Sequence, residues 1–244
     1  MNKKKIANLA PYGYITPITV ILVGFVIVSV IISIVLSFAR YNIMTPPTFY
    51  GLKNYERLVT DTKFMKALFN TLKLMVMIVP LQMILSLIVS VFLVSHRHML
   101  IGKIANSVIF IPVLCSNAAT GVIWRELLNG KIPAVETFFG LFGIKASMLL
   151  GNAKTALAVV AAVAIWKMLG YYVVIYSSGL LGISESFYEA AKVDGANAFQ
   201  TFTKITLPYM LYVTTPYLIV TFTGNVNNFN VIYLLSGGDP VTNL

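Results

Sequence analysis

The stretch Tyr14-Ile-Thr-Pro-Ile-Thr-Val-Ile-Leu-Val-Gly-Phe-Val-Ile-Val-Ser-Val-Ile-Ile-Ser-Ile-Val-Leu-Ser-Phe-Ala39 contains no charged residue. A hydrocarbon core about 30 Å thick is crossed by roughly 20 apolar residues in an α-helix, and this run is long enough to do so. A secretory leader has an apolar region of only about 7 to 15 residues, closed by a small-x-small cleavage site. Lys3-Lys4-Lys5 ahead of the run imitates such a leader, but the length and the missing cleavage site predict a retained first membrane helix.

Working outward, the 244 residues are 58% hydrophobic and 11% charged, with a mean hydropathy of +0.83. Ordinary soluble domains hold about 45 to 50% and 25%, so a soluble globular protein is excluded. Windowed hydropathy predicts five spans, at 14–38, 72–95, 104–124, 155–180 and 209–235. The connectors are a polar loop 39–71, a short basic turn from His96-Arg97-His98 to Lys103, a Gly-punctuated loop 125–154, and the segment 181–208. None is long enough for a separate folded domain, so the expected architecture is all-α, one polytopic transmembrane helical bundle over 1–244. Pro80 and Pro112 are expected to kink the second and third spans.

The net charge of +10 is scattered between the spans, a pattern that suits lipid headgroups rather than nucleic acid. Counting Lys and Arg in the connectors does not decide orientation, whereas the triple Lys before the first span favours an inside N-terminus. Cys115 is the single cysteine, which excludes an intrachain disulfide and a Cys-based metal site. All eight carboxylates, Glu56, Asp61, Glu126, Glu136, Glu185, Glu189, Asp194 and Asp239, lie outside the spans or at their edges. Ion-coupled carriers generally hold the coupling ion on an intramembrane carboxylate, so that class is demoted. No G-x-x-x-x-G-K-[ST] loop is present, and energy for active transport would have to come from another subunit. His96 and His98, two residues apart, fall on different sides of a helix and read as a juxtamembrane basic turn, not a metal site. Neither a carboxylate pair nor a Ser/His/Asp constellation marks a catalytic centre. The expectation is a non-enzyme without metal or cofactor.

Residues 184–208 read Ser-Glu-Ser-Phe-Tyr-Glu-Ala-Ala-Lys-Val-Asp-Gly-Ala-Asn-Ala-Phe-Gln-Thr-Phe-Thr-Lys-Ile-Thr-Leu-Pro. Ser184 or Ser186 can cap a helix, Ser186 with Glu189 has capping-box spacing, and Gly195 suits the left-handed position after a helix C-terminus. A second helix is expected from about Asn197 toward Leu207, ending before Pro208. The result would be two short helices meeting at a bend, with Ala190 and Ala191 leaving a flat face. Glu189-Ala190-Ala191, Gly195 and, after nine residues, Ile205-x-Leu207-Pro208 match the E-A-A-x3-G-x9-I-x-L-P signature. The chain thereby resembles the inner-membrane permease subunits of binding-protein-dependent ABC importers, with the MetI-like fold of type I importers. The family often has Pro where this chain has Ser184, and Ser caps equally well. In that family the loop is cytoplasmic and docks on the ATPase subunit, so the resemblance implies ATPase-coupling roles for Glu189, Ala190, Ala191, Asp194 and Gly195. The plainer reading, in which Glu189 completes a cap and Gly195 ends a helix, stands beside it.

The fifth span carries Thr221, Thr223, Asn225, Asn227 and Asn228. At 100° per residue Thr221, Asn225 and Asn228 fall within an arc of about 60°, one face of hydroxyls and amides that needs partners in lipid. A polyhydroxylated ligand in a watery cavity would supply them; so would neighbouring helices. The fourth span offers Trp166, Gly170, Tyr171, Tyr172 and Tyr176, either a platform for the C–H faces of sugars or an interfacial aromatic belt. Lys167, mid-span, must face a cavity or a partner rather than lipid. Asn225-Val-Asn227-Asn228-Phe229 and Leu234-Leu235-Ser236-Gly237-Gly238-Asp239-Pro240 are similar to the larger permease subunits of maltose-type oligosaccharide importers, apart from the extra Asp239. By that resemblance Tyr171, Thr221, Gly224, Asn225 and Asn228 fall at or beside substrate-binding positions, with Gly224 standing where the family example has an aromatic residue.

The resemblance implies a carbohydrate permease of a bacterial or archaeal cytoplasmic membrane, multi-pass with the N-terminus inside, importing an oligosaccharide of maltodextrin type. The implied partners are a second homologous permease, two ATP-binding subunits and an extracytoplasmic sugar-binding protein, which the loop 125–154 would touch. Alternatives are import of a polyol or glycerol phosphate, or a non-transporting membrane scaffold. Five predicted spans are one fewer than the family core, so a last helix is expected beyond the chain's end.

Overall fold

A computed structural model describes residues 3–42, 44–226 and 235. The chain divides into two compact units, Met1–Met65 and Lys66–Leu244. In the first, α1 (Lys3–Ile21) passes through a π-helical turn (Leu22–Ile27) into α2 (Val28–Ser37). None of the apolar window in Tyr12–Ser37 is buried. A helix apolar all round is stable in that state when lipid covers it.

The segment predicted as a polar loop from 39 has structure of its own. β1 (Ala39–Asn42) pairs antiparallel with β2 (Thr45–Phe49). Asn42 closes the turn, its Oδ1 accepting the N–H groups of Met44 at 2.9 Å and Thr45 at 2.8 Å. Pro46 and Pro47 are confined to this exposed two-stranded ribbon, where a missing donor is tolerated. In α3 (Lys53–Thr60) Asn54 donates to the carbonyls of Ser37 and Ala39, at 2.8 and 2.9 Å, satisfying groups left open at the end of α2.

The second span begins earlier than position 72. α4 runs unbroken from Thr62 to Ser95 with Pro80 inside it. Asp61 sets its start, because Oδ1 accepts from the N–H groups of Lys63 and Phe64 at 2.9 and 3.2 Å. Its buried residues include Asn70, Leu74, Ile78, Gln82, Ser86 and Ser90, an i, i+4 stripe whose lower half is polar.

The third predicted span, 104–124, is not one helix. α5 (Leu100–Leu114) and α6 (Asn117–Leu127) meet at 97°. Cys115 and Ser116 are extended, with ψ of 142° and 143°, and the carbonyl of Ser116 accepts the first bond of α6 from Thr120 at 2.9 Å. Ser116, Asn117 and Thr120 mark the break, but a window as long as a span averages them into the apolar flanks. Pro112 lies within the last turn before the break.

The connector from 128 to 152 holds α7 (Pro133–Gly140) and α8 (Ala146–Gly151). Glu136 caps α8 from a distance, accepting the N–H groups of Ser147 at 2.9 Å and Ala146 at 3.2 Å. These bonds, the one from Ser147 foremost, hold its carboxyl below the ordinary carboxylate range. Gly130, at φ +78°, makes room: a Cβ there would lie 2.9 Å from Cβ of Ser147. A depressed carboxyl contributes stability above its unfolded-state titration, and that contribution is lost as pH falls through the folded one. Measured relative to the intrinsic rate at each pH, acidification through and below the carboxylate range should therefore lower amide protection over 130–147 with protection over 74–90 unchanged, and Glu136→Gln should show the lowered protection at neutral pH.

α9 (Ala153–Leu181) is the central helix of this unit, and half of its apolar window is buried. Gly170 lets it lie directly on α5: a Cβ would collide with the carbonyl of Ile109 and stand 2.8 Å from Cα of Phe110. Small residues at such crossings let membrane helices approach backbone to backbone. One apolar cluster joins Leu74 and Ile78 of α4 to Val160, Ala164 and Ile165 of α9, with Leu235. A second joins Tyr172, Tyr176 and Leu180 to Met210 and Tyr217. After α10 (Glu185–Val193), α11 (Ala198–Thr201) continues through a π turn (Phe202–Thr206) into α12 (Leu207–Val226). The expected stop before Pro208 is absent. Pro208 is the second residue of α12, and the wider π turn ahead of it accommodates its missing donor and ring.

Candidate functional site: a surface helix and an intramembrane tyrosine face

α10 begins at Ser184, which takes the N-cap conformation (φ −60°, ψ 133°) without a side-chain bond to the helix; its hydroxyl instead pairs with that of Ser186 at 2.8 Å. The Ser186–Glu189 capping box does not form, because Ser186 is already inside the first turn and Glu189 sits too deep to reach back. At the other end Gly195 adopts φ +72°. The N–H of Gly195 donates to the carbonyl of Lys192 at 3.1 Å and that of Ala196 to Ala191 at 2.9 Å. This is a Schellman closure. Two residues on, Asn197 and Gln200 form a reciprocal capping box, both bonds 2.9 Å. Every turn of the bend is thus specified by a local side chain or a glycine.

The five candidate coupling residues divide by exposure. Glu189, Ala190, Asp194 and Gly195 are exposed, whereas Ala191 is buried beneath them. Ala190 alone of the two alanines lies on the open face. Exposed Val193 and Phe199 extend the apolar surface of the bend. The underside is bolted to the base of the last span: the hydroxyls of Tyr188 and Thr206 are 3.2 Å apart, and the rings of Phe187 and Tyr209 are 5.1 Å apart. A push on α10 therefore acts on the foot of α12. Beside α10 lies a cleft of about 910 Å³, lined by Arg97, His98, Glu185, Glu189 and Lys192 among others. The basic turn is self-engaged as well, Arg97 Nε lying 3.0 Å from Nε2 of His98 and His96 Nδ1 2.9 Å from the carbonyl of Phe92.

Within the membrane region, Tyr171 is partly open, and its ring meets Tyr172 edge-on at 5.2 Å. Tyr172 and Tyr176 each pack against Tyr217, at 4.4 and 4.9 Å. Such pairs contribute about 0.5–1.5 kcal/mol each beyond simple burial. Tyr172 and Tyr176 are core residues rather than an interfacial belt. Thr221 is fully buried, its hydroxyl donating to the carbonyl of Tyr217 at 2.8 Å. Among the described residues, nothing lies within 4 Å of a Cβ placed on Gly224. Asn225 belongs to α12, but its side chain lies outside the described set, and Asn228 falls outside the described residues. Trp166 stacks edge-on with Trp124 at 5.5 Å beside an apolar cavity of about 570 Å³.

A row missed in the sequence faces the tyrosines from α4. Gln82, Ser86 and Ser90 are all buried. Ser86 Oγ lies 3.3 Å from the hydroxyl of Tyr217, and Ser90 donates to the carbonyl of Val173 at 2.9 Å. The amide nitrogen of Gln82 has no partner among the described residues. The i, i+4, i+8 spacing of three polar residues in the otherwise apolar stretch 74–94 was the available signal.

Comparison with known proteins adds three relatives. The permease MsmF of the multiple sugar-binding transport system of Streptococcus mutans is 32% identical over 193 residues, 79% of this chain and 65% of that protein. AraP, an arabinooligosaccharide transport permease of Bacillus subtilis, is 29% identical over 93% of this chain and 72% of its own. MalF, the maltose/maltodextrin permease of Salmonella typhimurium, is 35% identical over 78% of this chain and 38% of its own length. The chain thus spans just under two thirds of the first of these and well under half of the last. In fold, it superposes with a TM-score of 0.82 and 20% identity on a chain of a bacterial alginate ABC transporter solved with an alginate pentasaccharide-bound periplasmic protein, covering 98% of this chain and 80% of that one. The family model described as binding-protein-dependent transport system inner membrane component matches residues 62–244. The chain, a multi-pass helical membrane protein, belongs to that family.

Proposed function

We propose that this chain is a permease subunit of an ABC importer that moves a carbohydrate, an oligosaccharide of the maltodextrin type, across the cytoplasmic membrane. The observation that carries the reading is the exposed, locally closed α10 bearing Glu189, Ala190 and Gly195 and fastened underneath to the foot of α12. A separate ATP-binding subunit docks there, and its opening and closing tilts α10 and, through Tyr188 and Phe187, the last span. Alternating access follows when the two orientations hold the solute with different affinity. A second homologous permease completes the pathway, two ATPase subunits drive it, and an extracytoplasmic binding protein delivers the solute. The N-terminus is cytoplasmic.

The sugar reading draws on the relatives that handle multiple sugars, arabinooligosaccharides and maltodextrins. In it Tyr171, Gly224, Asn225 and Asn228 meet the solute, while the buried Thr221 donates to the Tyr217 carbonyl. The test is uptake of labelled oligosaccharides by cells expressing the chain with its partner subunits. Tyr171→Ala and Asn228→Ala should each lower uptake of the transported sugar about three- to tenfold, the loss of one ring contact or one hydrogen bond. Native uptake of every saccharide by both variants would sink the sugar face.

A further inference from the structure

Lys167 is the charge the proposed transport cycle leaves unused. It sits in the middle of α9 and is 4% exposed. Its ammonium donates to the carbonyl of Cys115 at 2.6 Å and lies 3.4 Å from that of Pro112. Among the described residues, no carboxylate pairs with it. A helix that stops leaves its last carbonyls without donors, and inside a membrane water does not replace them. α5 stops at Leu114, and the extended backbone of Cys115 and Ser116 turns the Cys115 carbonyl away from any helical partner. The end of α5 is also the negative pole of that helix. In carriers built on broken helices, this kind of place holds a bound metal cation. Here a cation is tethered to the next helix, and Gly170, one turn further along α9, brings the two backbones close enough for the ammonium to reach.

We propose that Lys167 is a positioning residue: its ammonium stands in for a bound cation at the C-terminal end of α5 and fixes the elbow at 115–116 that turns the chain by 97° into α6. The direction of α6, and of the 128–152 connector it leads into, is set by this clasp. The proposal does not depend on which solute is carried.

Hydrogen–deuterium exchange of the full chain in lipid nanodiscs tests it. Lys167→Met should speed exchange of peptides covering 113–119 about tenfold, the effect of losing a charged hydrogen bond at one point of local opening. Lys167→Arg, which keeps a cation and its donors, should stay within about twofold of native. Peptides from 74–90 should be unchanged in both. Native exchange at 113–119 in Lys167→Met overturns the proposal, as does acceleration shared equally with 74–90, or failure of Arg to restore protection. If the Met variant does not accumulate, Lys167→Gln decides in its place: exchange between the native and tenfold-faster rates supports the clasp, and native exchange overturns it.

Discussion

Gly195→Asp should cut ATP-dependent uptake by about tenfold or more while the chain still accumulates in the membrane. The two halves of that outcome come from separate features of the bend. Gly195 holds φ +72° with no described residue within 4 Å of the added Cβ, so the intrinsic penalty is that of a left-handed residue, about 1–2 kcal/mol. Asp is among the residues that tolerate this conformation best. The Schellman bonds to Lys192 and Ala191 use backbone atoms and survive the change. What changes is the exposed surface, where a new carboxylate joins Glu189 and Asp194 on the face assigned to the ATPase. Burying it there without a partner would cost more than the tenfold threshold requires. Uptake together with co-purification of the ATPase subunit checks the prediction, and Gly195→Ala, which adds the strain without the charge, should keep most of the activity.

Gly170→Ala should lower the apparent Tm of the detergent-extracted chain by about 5 °C or more. The obstacle to its Cβ is backbone, the Ile109 carbonyl and Phe110 Cα, not the end of a flexible side chain. α9 and α5 would have to separate, and the Lys167 bonds to Cys115 and Pro112 would stretch with them. Overpacking of this kind costs about 1–3 kcal/mol where side chains can yield, and here they cannot. Gly140→Ala, at a position with no described residue within 4 Å of the added Cβ, should leave the Tm unchanged. Thermal unfolding followed by size-exclusion fluorescence separates the two.

The parts of this fold legible in the sequence are those fixed by local rules. The α9 span expected at 155–180 corresponds to a helix at Ala153–Leu181, and the bend after α10 follows from Gly195. The parts that were not legible depend on partners far along the chain. Lys63, Lys66 and Lys73 lower the hydropathy at the head of α4, although Asp61 caps it there. The α5–α6 break is averaged away in a span-length hydropathy window despite Ser116 and Asn117, and part of what satisfies it is Lys167, some fifty residues on. Pro208 reads as a stop until a π turn admits it. Within the candidate solute face, the tyrosines were visible, but their division into the open Tyr171 and the buried Tyr172 and Tyr176 is decided by Tyr217 and by Ser86 on other helices.

The most direct measurement is oligosaccharide accumulation in proteoliposomes holding this chain with the proposed second permease, ATPase subunits and binding protein. The account predicts accumulation of at least one saccharide that requires ATP on the side bearing α10 and binding protein on the other, and that is lost in Gly195→Asp. Accumulation that proceeds without ATP, or that Gly195→Asp leaves intact, would contradict it.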